Sequence, residues 1–173
     1  MPSPLGHVIA GVAAGWAIAG APRPREGGRV ILEDVLLFGA LGALPDVDLI
    51  VGVHSGPTHS IGAALIVATI AFLAARFQRI PRPFTTAAAC CAAYASHVLL
   101  DWLATDSSPP IGIMALWPFR SDYYESDLHL FMAISRRYWT GWSFIHQNAI
   151  AVVREIAILL PMLGIVALVR RRR

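Results

Sequence analysis

Apolar residues run almost uninterrupted through five stretches, separated by breaks that hold most of the proline and charge. Leu5 to Ala21 contains no aspartate, glutamate or arginine, and at about 1.5 Å of rise per helical residue it spans most of a bilayer. Val30 to Leu44 is a second stretch, with Glu33 and Asp34 near its start and Pro45 at its end. His59 to Phe77 predicts a third helix, stopped by the run from Arg76 to Pro83, and Phe84 to Ala104 predicts a fourth. The fifth, Asn148 to Val169, carries Arg154 and Glu155 about two turns inside its start and ends in four arginines. The pattern predicts an all-α fold, a polytopic membrane bundle of about five helices forming one domain over residues 1–173.

Composition supports a membrane class. Of 173 residues 56% are hydrophobic and 14% charged, with a mean hydropathy of +0.59. Soluble domains are about one quarter charged, and a chain this apolar is not disordered. The first stretch lacks a preceding basic region, so it reads as a retained span rather than a cleaved signal. Gly11 to Gly15 has the small-xxx-small spacing of close helix contacts. Cys90 and Cys91, adjacent among alanines, also read as small packing positions, with poor geometry for a mutual disulfide.

All 14 basic residues are arginine. Arg23, Arg25 and Arg29 fall between helices one and two, Arg76, Arg79 and Arg82 between three and four, and Arg170 to Arg173 after five. Alternating helices place these ten on one side, which the positive-inside rule makes cytoplasmic. Arg120, Arg136 and Arg137 fall on the other side, three against ten. The C-terminus is therefore expected in the cytoplasm, with the 45–58 loop and 105–147 segment facing outward. Nine of the sixteen aromatic residues lie between Trp117 and Phe144. This stretch is expected on the outer membrane surface, either as an ordinary aromatic belt or as a roof over a site.

The same topology gathers every histidine on the outer face. His7 lies at the outer end of helix one, Asp46 and Asp48 follow helix two, His54 and His59 precede helix three, and His97 and Asp101 lie at the outer end of helix four. His129 and His146 lie in the outer segment. Ionisable groups at membrane ends are costly unless paired or ligating. His97 and Asp101, four apart on a helix, share a face; such a pair either ligates a metal or anchors the helix end by a hydrogen bond. Pro45 predicts a turn on which the carboxylates of Asp46 and Asp48 converge or cap. Between His54 and His59, the sequence Ser55-Gly56-Pro57-Thr58 predicts a turn that brings two imidazoles together.

The ordered set Gly6-His7, Pro45-Asp46-Val47-Asp48, His54-Ser55-Gly56-Pro57-Thr58-His59-Ser60, His97-Val98-Leu99-Leu100-Asp101 and Leu116-Trp117-Pro118-Phe119 resembles the YdjM-like family of bacterial membrane-bound, metal-dependent hydrolases. Ser55 stands where that family's pattern has an arginine. The family is in turn distantly similar to the zinc-dependent phospholipase C and single-strand nuclease group. The resemblance implies a location in the bacterial inner membrane with the outer face towards the periplasm or exterior, and it implies that His7, Asp46, Asp48, His54, His59, His97 and Asp101 hold metal for phosphoester hydrolysis.

Seven ligands exceed the four of one zinc ion, which fits two ions or one ion with an acidic surround. Imidazole and carboxylate without thiolate suit zinc, manganese or iron, and zinc is the first expectation. The expected reaction is attack of a metal-activated water on a phosphoester, with Asp48 or Asp101 handling the proton. Arg154 either neutralises substrate phosphate or snorkels to the interface. The bilayer is the expected partner, with a lipid or lipid-linked substrate; the arginine clusters are explained by membrane orientation, so no nucleic acid is expected. The alternative is a non-catalytic metal-binding or transport membrane protein.

Overall fold

The computed structural model describes residues 1–22, 28–50, 54–107, 109–135 and 137–171. Five α-helices follow in order: α1 (Pro4–Ala19), α2 (Gly28–Ala43), α3 (Ile61–Phe77), α4 (Pro83–Trp102) and α5 (Trp142–Val169). The described residues contain no strand, only three isolated bridges. The expected all-helical bundle is therefore what forms. Local sequence explains several ends. Ser3 caps α1 by accepting from the Gly6 N–H, Ser60 caps α3 by accepting from that of Ala63, and Pro4 and Pro83 occupy first-turn positions, where a missing N–H costs nothing.

Most helix boundaries fall within two residues of expectation, and the starts of α3 and α5 are the instructive differences. Residues Pro57–His59 form a separate 3-10 turn, so α3 begins at Ile61 rather than His59. The fifth helix begins at Trp142 rather than Asn148, because aromatic residues suited to the headgroup region are equally compatible with continued helix. At 28 residues α5 is about 42 Å long, more than the hydrocarbon core requires.

α4 lies at the centre, packed against α1, α2 and α3, while α5 lies against α1. Small residues allow the closest approach. A Cβ on Gly11 would meet the Phe38 carbonyl oxygen at 2.4 Å, and one on Gly42 would meet the His7 carbonyl oxygen at 2.4 Å. The Gly11–Gly15 spacing is thus the surface on which α2 crosses α1. Val12, Phe38, Ala89, Cys90 and Ala93 form the core there, and both cysteines are free thiols. A second cluster joins Ala10, Leu100, Ala104, Phe131 and Leu159.

The outer surfaces are apolar. α3 exposes Leu65, Ile66, Ile70 and Leu73, and α5 exposes Val153, Leu160, Ile165 and Leu168, contiguous patches of the kind that soluble monomers avoid. α4 and α5 are long and apolar enough to cross a membrane; α1 and α3 are shorter apolar helices. The Ala21 N–H donates to the Arg170 carbonyl at 2.8 Å, joining the C-terminal ends of α1 and α5. By helix direction, Arg29, Arg76, Arg79, Arg82, Arg170 and Arg171 collect at this end, and the histidine-bearing ends at the other. Arg23, Arg25, Arg136, Arg172 and Arg173 lie outside the described residues.

The segment after α4 covers the histidine-bearing end. Thr105 N–H donates to the Phe131 carbonyl at 2.9 Å, and Ile61 and Gly62 at the start of α3 donate to the carbonyls of Ala115 and Trp117 at 2.9 and 3.2 Å. These bonds satisfy helix-end groups that would otherwise be orphaned.

Candidate metal centre

His97 and Asp101 sit one turn apart on α4, with His97 Nε2 3.1 Å from Asp101 Oδ2. The 3-10 turn Leu44–Ile50 continues from α2 and presents Asp46. His59, ending its own turn before α3, points Nε2 at His97 Nε2 across 3.0 Å. It also lies 3.4 Å from Asp101 Oδ2 and 3.7 Å from Asp46 Oδ1, and His97 Nε2 is likewise 3.7 Å from Asp46 Oδ1. Four donors from three segments thus approach one another, with five of their six pairs separated by 3.0 to 3.7 Å.

The other ring nitrogens fix which atoms face inward. His97 Nδ1 donates to the Gly42 carbonyl at 2.7 Å, an acceptor that cannot donate back, so Nε2 keeps its lone pair. His59 Nδ1 faces Asp48 Oδ2 at 3.1 Å. Thr58 Oγ1 donates to the same oxygen at 2.8 Å, and His54 Nδ1 lies 3.0 Å from the other one. Asp46 and Asp48 therefore converge on opposite nitrogens of one imidazole, Asp46 on the inner side and Asp48 behind the ring. A carboxylate behind a ligating histidine sets its tautomer and raises its basicity. The His54 and His59 rings meet edge to face at 5.0 Å, as the intervening turn predicts.

His7 enters from α1, its ring stacked on His97 at 3.7 Å between centroids and its Nε2 3.4 Å from Asp101 Oδ1. His7, His59 and His97 are 0% exposed and Asp101 2%. Both ring nitrogens of His7 and both carboxylate oxygens of Asp101 lack a hydrogen-bond partner. His7, His59 and His97 lie 3.1 to 3.4 Å from the Asp101 oxygens. Buried polar atoms left unsatisfied cost free energy, and here they all aim into one cluster. Three overlapping groups, His7–Asp46–His97, Asp46–His54–His59 and His59–His97–Asp101, each bring their donor atoms within 4.8 Å of one another.

Outside the helices, the electrostatics are strongly coupled. Burial pushes the His59 pKa down, but Asp46, Asp48 and Asp101 outweigh it and bring it up to about 9. Burial would raise Asp48, and contacts from His59, His54 and Thr58 instead lower it to about 2. Asp46 is held below the ordinary carboxylate value, since His59, His97 and His7 together overcome its desolvation.

A cavity of about 690 Å³ opens beside the cluster, its lining including Asp46, His54, Tyr123, Ser135 and Arg137. Arg154 is exposed, and its guanidinium donates to the His129 carbonyl at 3.4 Å; it is not among the residues lining this cavity. His129 pairs with Glu125 at 3.8 Å, and His146 is exposed on α5, so neither joins the four clustered histidines. Sequence reasoning also passed over Glu155, which is 1% exposed. Its Oε1 accepts from the Ser3 N–H at 2.8 Å and its Oε2 from the Ser3 hydroxyl, tying α5 to the start of α1. The available signal was an acid inside an apolar helix, which needs a partner.

A helical membrane bundle with a buried imidazole and carboxylate cluster at one end is the class of protein these features define. The chain belongs to the YdjM inner membrane protein family, whose family profile matches residues 1–173. No curated protein and no solved structure matches it.

Proposed function

We propose that this protein is a metal-dependent hydrolase of phosphoesters, with a lipid or lipid-linked substrate. Its site faces the periplasm or exterior, and its C-terminus lies in the cytoplasm, as the arginine distribution favours. The observation that carries the metal reading is a set of donor separations. Four ligands placed tetrahedrally 2.0–2.1 Å from a zinc ion lie about 3.3 Å apart. The five separations among His59 Nε2, His97 Nε2, Asp101 Oδ2 and Asp46 Oδ1 given above run from 3.0 to 3.7 Å. Those four atoms would hold a first ion, and the unpartnered imidazole of His7, stacked on His97, offers a further donor. Zinc fits best, and manganese and iron share the donor preference.

A bound divalent ion supplies Lewis acidity and lowers the pKa of water towards about 7. The chain supplies orientation and proton handling. Asp101 has Oδ1 free of hydrogen bonds, which suits it to take a proton from water. Asp48 has both oxygens engaged, so it acts as a positioning residue that holds His59. Transport would require a polar route to the arginine end. Val12, Phe38, Ala89, Cys90 and Ala93 fill the core there, which favours hydrolysis at one end over passage through the bundle.

The test is turnover by detergent-purified protein on a panel of phosphomonoesters, phosphodiesters and phospholipids. Metal-dependent hydrolysis that disappears in Asp46→Ala and His97→Ala is expected. Stoichiometric metal with no turnover across the panel contradicts the enzymatic reading.

A further inference from the structure

The lining of the cavity beside the candidate metal centre includes two acids, Asp46 of the cluster and Asp106 on the segment after α4. An anionic substrate entering it needs a cation, and the lining offers two. Met1 ammonium donates to the Thr105 carbonyl at 3.0 Å. Arg137, the arginine among the lining residues, is exposed, and no salt bridge engages it among the described residues. We propose that Arg137 holds the charged group of the substrate. The proposal rests on the hydrolase reading and deepens it by naming an anion-binding residue.

Hydrogen bonds tie the described residues near Arg137. Ile134 N–H donates to the Met1 carbonyl at 3.0 Å. Asn148 of α5 clasps Ser135 from both sides, its Oδ1 accepting from the Ser135 N–H at 2.7 Å and its Nδ2 donating to the Ser135 carbonyl at 3.0 Å. The Arg137 N–H donates to Ser135 Oγ at 3.3 Å, and its carbonyl accepts from Thr140 Oγ1 at 2.7 Å. A guanidinium carried on a tethered backbone presents parallel N–H donors that match two phosphate oxygens. Leu49, Ile134 and Pro109 in the same lining provide apolar surface. The combination selects a phosphoester with an organic portion, the cavity volume lying within the range of small-molecule sites. Arg154, hydrogen-bonded to a backbone carbonyl elsewhere, has no part in it.

The experiment is calorimetric titration of the metal-loaded, detergent-purified full chain with inorganic phosphate. Wild type binds; Arg137→Ala binds at least tenfold more weakly with unchanged metal content, Arg137→Lys loses less, and Arg154→Ala binds as wild type. Asn148→Ala also weakens binding, by a smaller factor, because it releases the clasp on Ser135. Equal binding by Arg137→Ala and wild type overturns the proposal and leaves the hydrolase reading standing. Failure of metal-loaded wild type to bind phosphate at all overturns both.

Discussion

The two ends of the bundle carry most of the ionisable side chains and treat them in opposite ways. At the arginine end, charge stands in water: the Arg29 and Glu33 side chains are 90% and 60% exposed even though they pair at 2.8 Å. At the histidine end, His7, His59 and His97 are fully buried with Asp101 beside them. Solvated charge needs no explanation beyond membrane orientation. Buried charge costs several kcal/mol per ion unless it is compensated, and unpartnered atoms on His7 and Asp101 show that internal hydrogen bonds do not complete the compensation. The difference is the reason the metal proposal is placed at the histidine end.

Substitutions at the buried end should produce the largest effects. Asp101→Ala removes a donor shared by His7, His59 and His97, and is expected to lower metal affinity by more than about a hundredfold, beyond the range for supporting residues. Competition with a chromophoric chelator measures this; retained affinity would remove Asp101 from the centre. Asp48→Asn, acting through His59, should cost about ten- to a hundredfold in the same assay, and an effect equal to that of Asp101→Ala would place it among the direct ligands.

Protons sharpen the contrast further. His59 in the metal-free protein has its pKa raised to about 9, so it is protonated at pH 7 and must lose that proton to bind metal. Affinity should therefore climb by up to about tenfold per pH unit between 7 and 9, with proton release visible as a buffer-dependent enthalpy in calorimetry. An affinity independent of pH over that window would contradict His59 ligation. For the metal-free fold the sign is opposite. The stabilisation from the His59 ion pairs is complete below its ordinary pKa of 6.5 and is lost as pH rises through about 9.

Away from the donors, effects should shrink. Glu155→Gln weakens the link from α5 to Ser3 and is expected to cost about 1–3 kcal/mol, read as a lower melting temperature with metal content retained. Arg79→Ala, at the solvated end, should change stability by less than about 0.5 kcal/mol and leave metal content alone. A loss of metal in Arg79→Ala would break the distinction between the ends.

Much of this was legible in the chain because it depends on spacing. The four-residue spacing of His97 and Asp101 put both on one face of α4, and Gly11 and Gly15 marked a close helix contact, which α2 makes. Turn residues between His54 and His59 announced that their rings would meet. What was not legible depends on three-dimensional approach. Gly42 offers His97 a backbone carbonyl, which leaves no trace in residue type. Asp46 and Asp48 differ in role only through the side of the His59 ring each reaches. Arg154 and Glu155 are neighbours on α5, yet helix rotation exposes the first and buries the second, and no local pattern indicated which would face Ser3. Arg137 looked like a counterexample to the charge asymmetry until its segment was seen lining the cavity.

The most direct test of the central claim is elemental analysis of detergent-purified wild type beside His97→Ala, with circular dichroism to show that both are folded. One to two equivalents of zinc, manganese or iron in the wild type and a marked loss in the variant is the predicted result. Folded wild type without metal, or equal metal in both proteins, would contradict it.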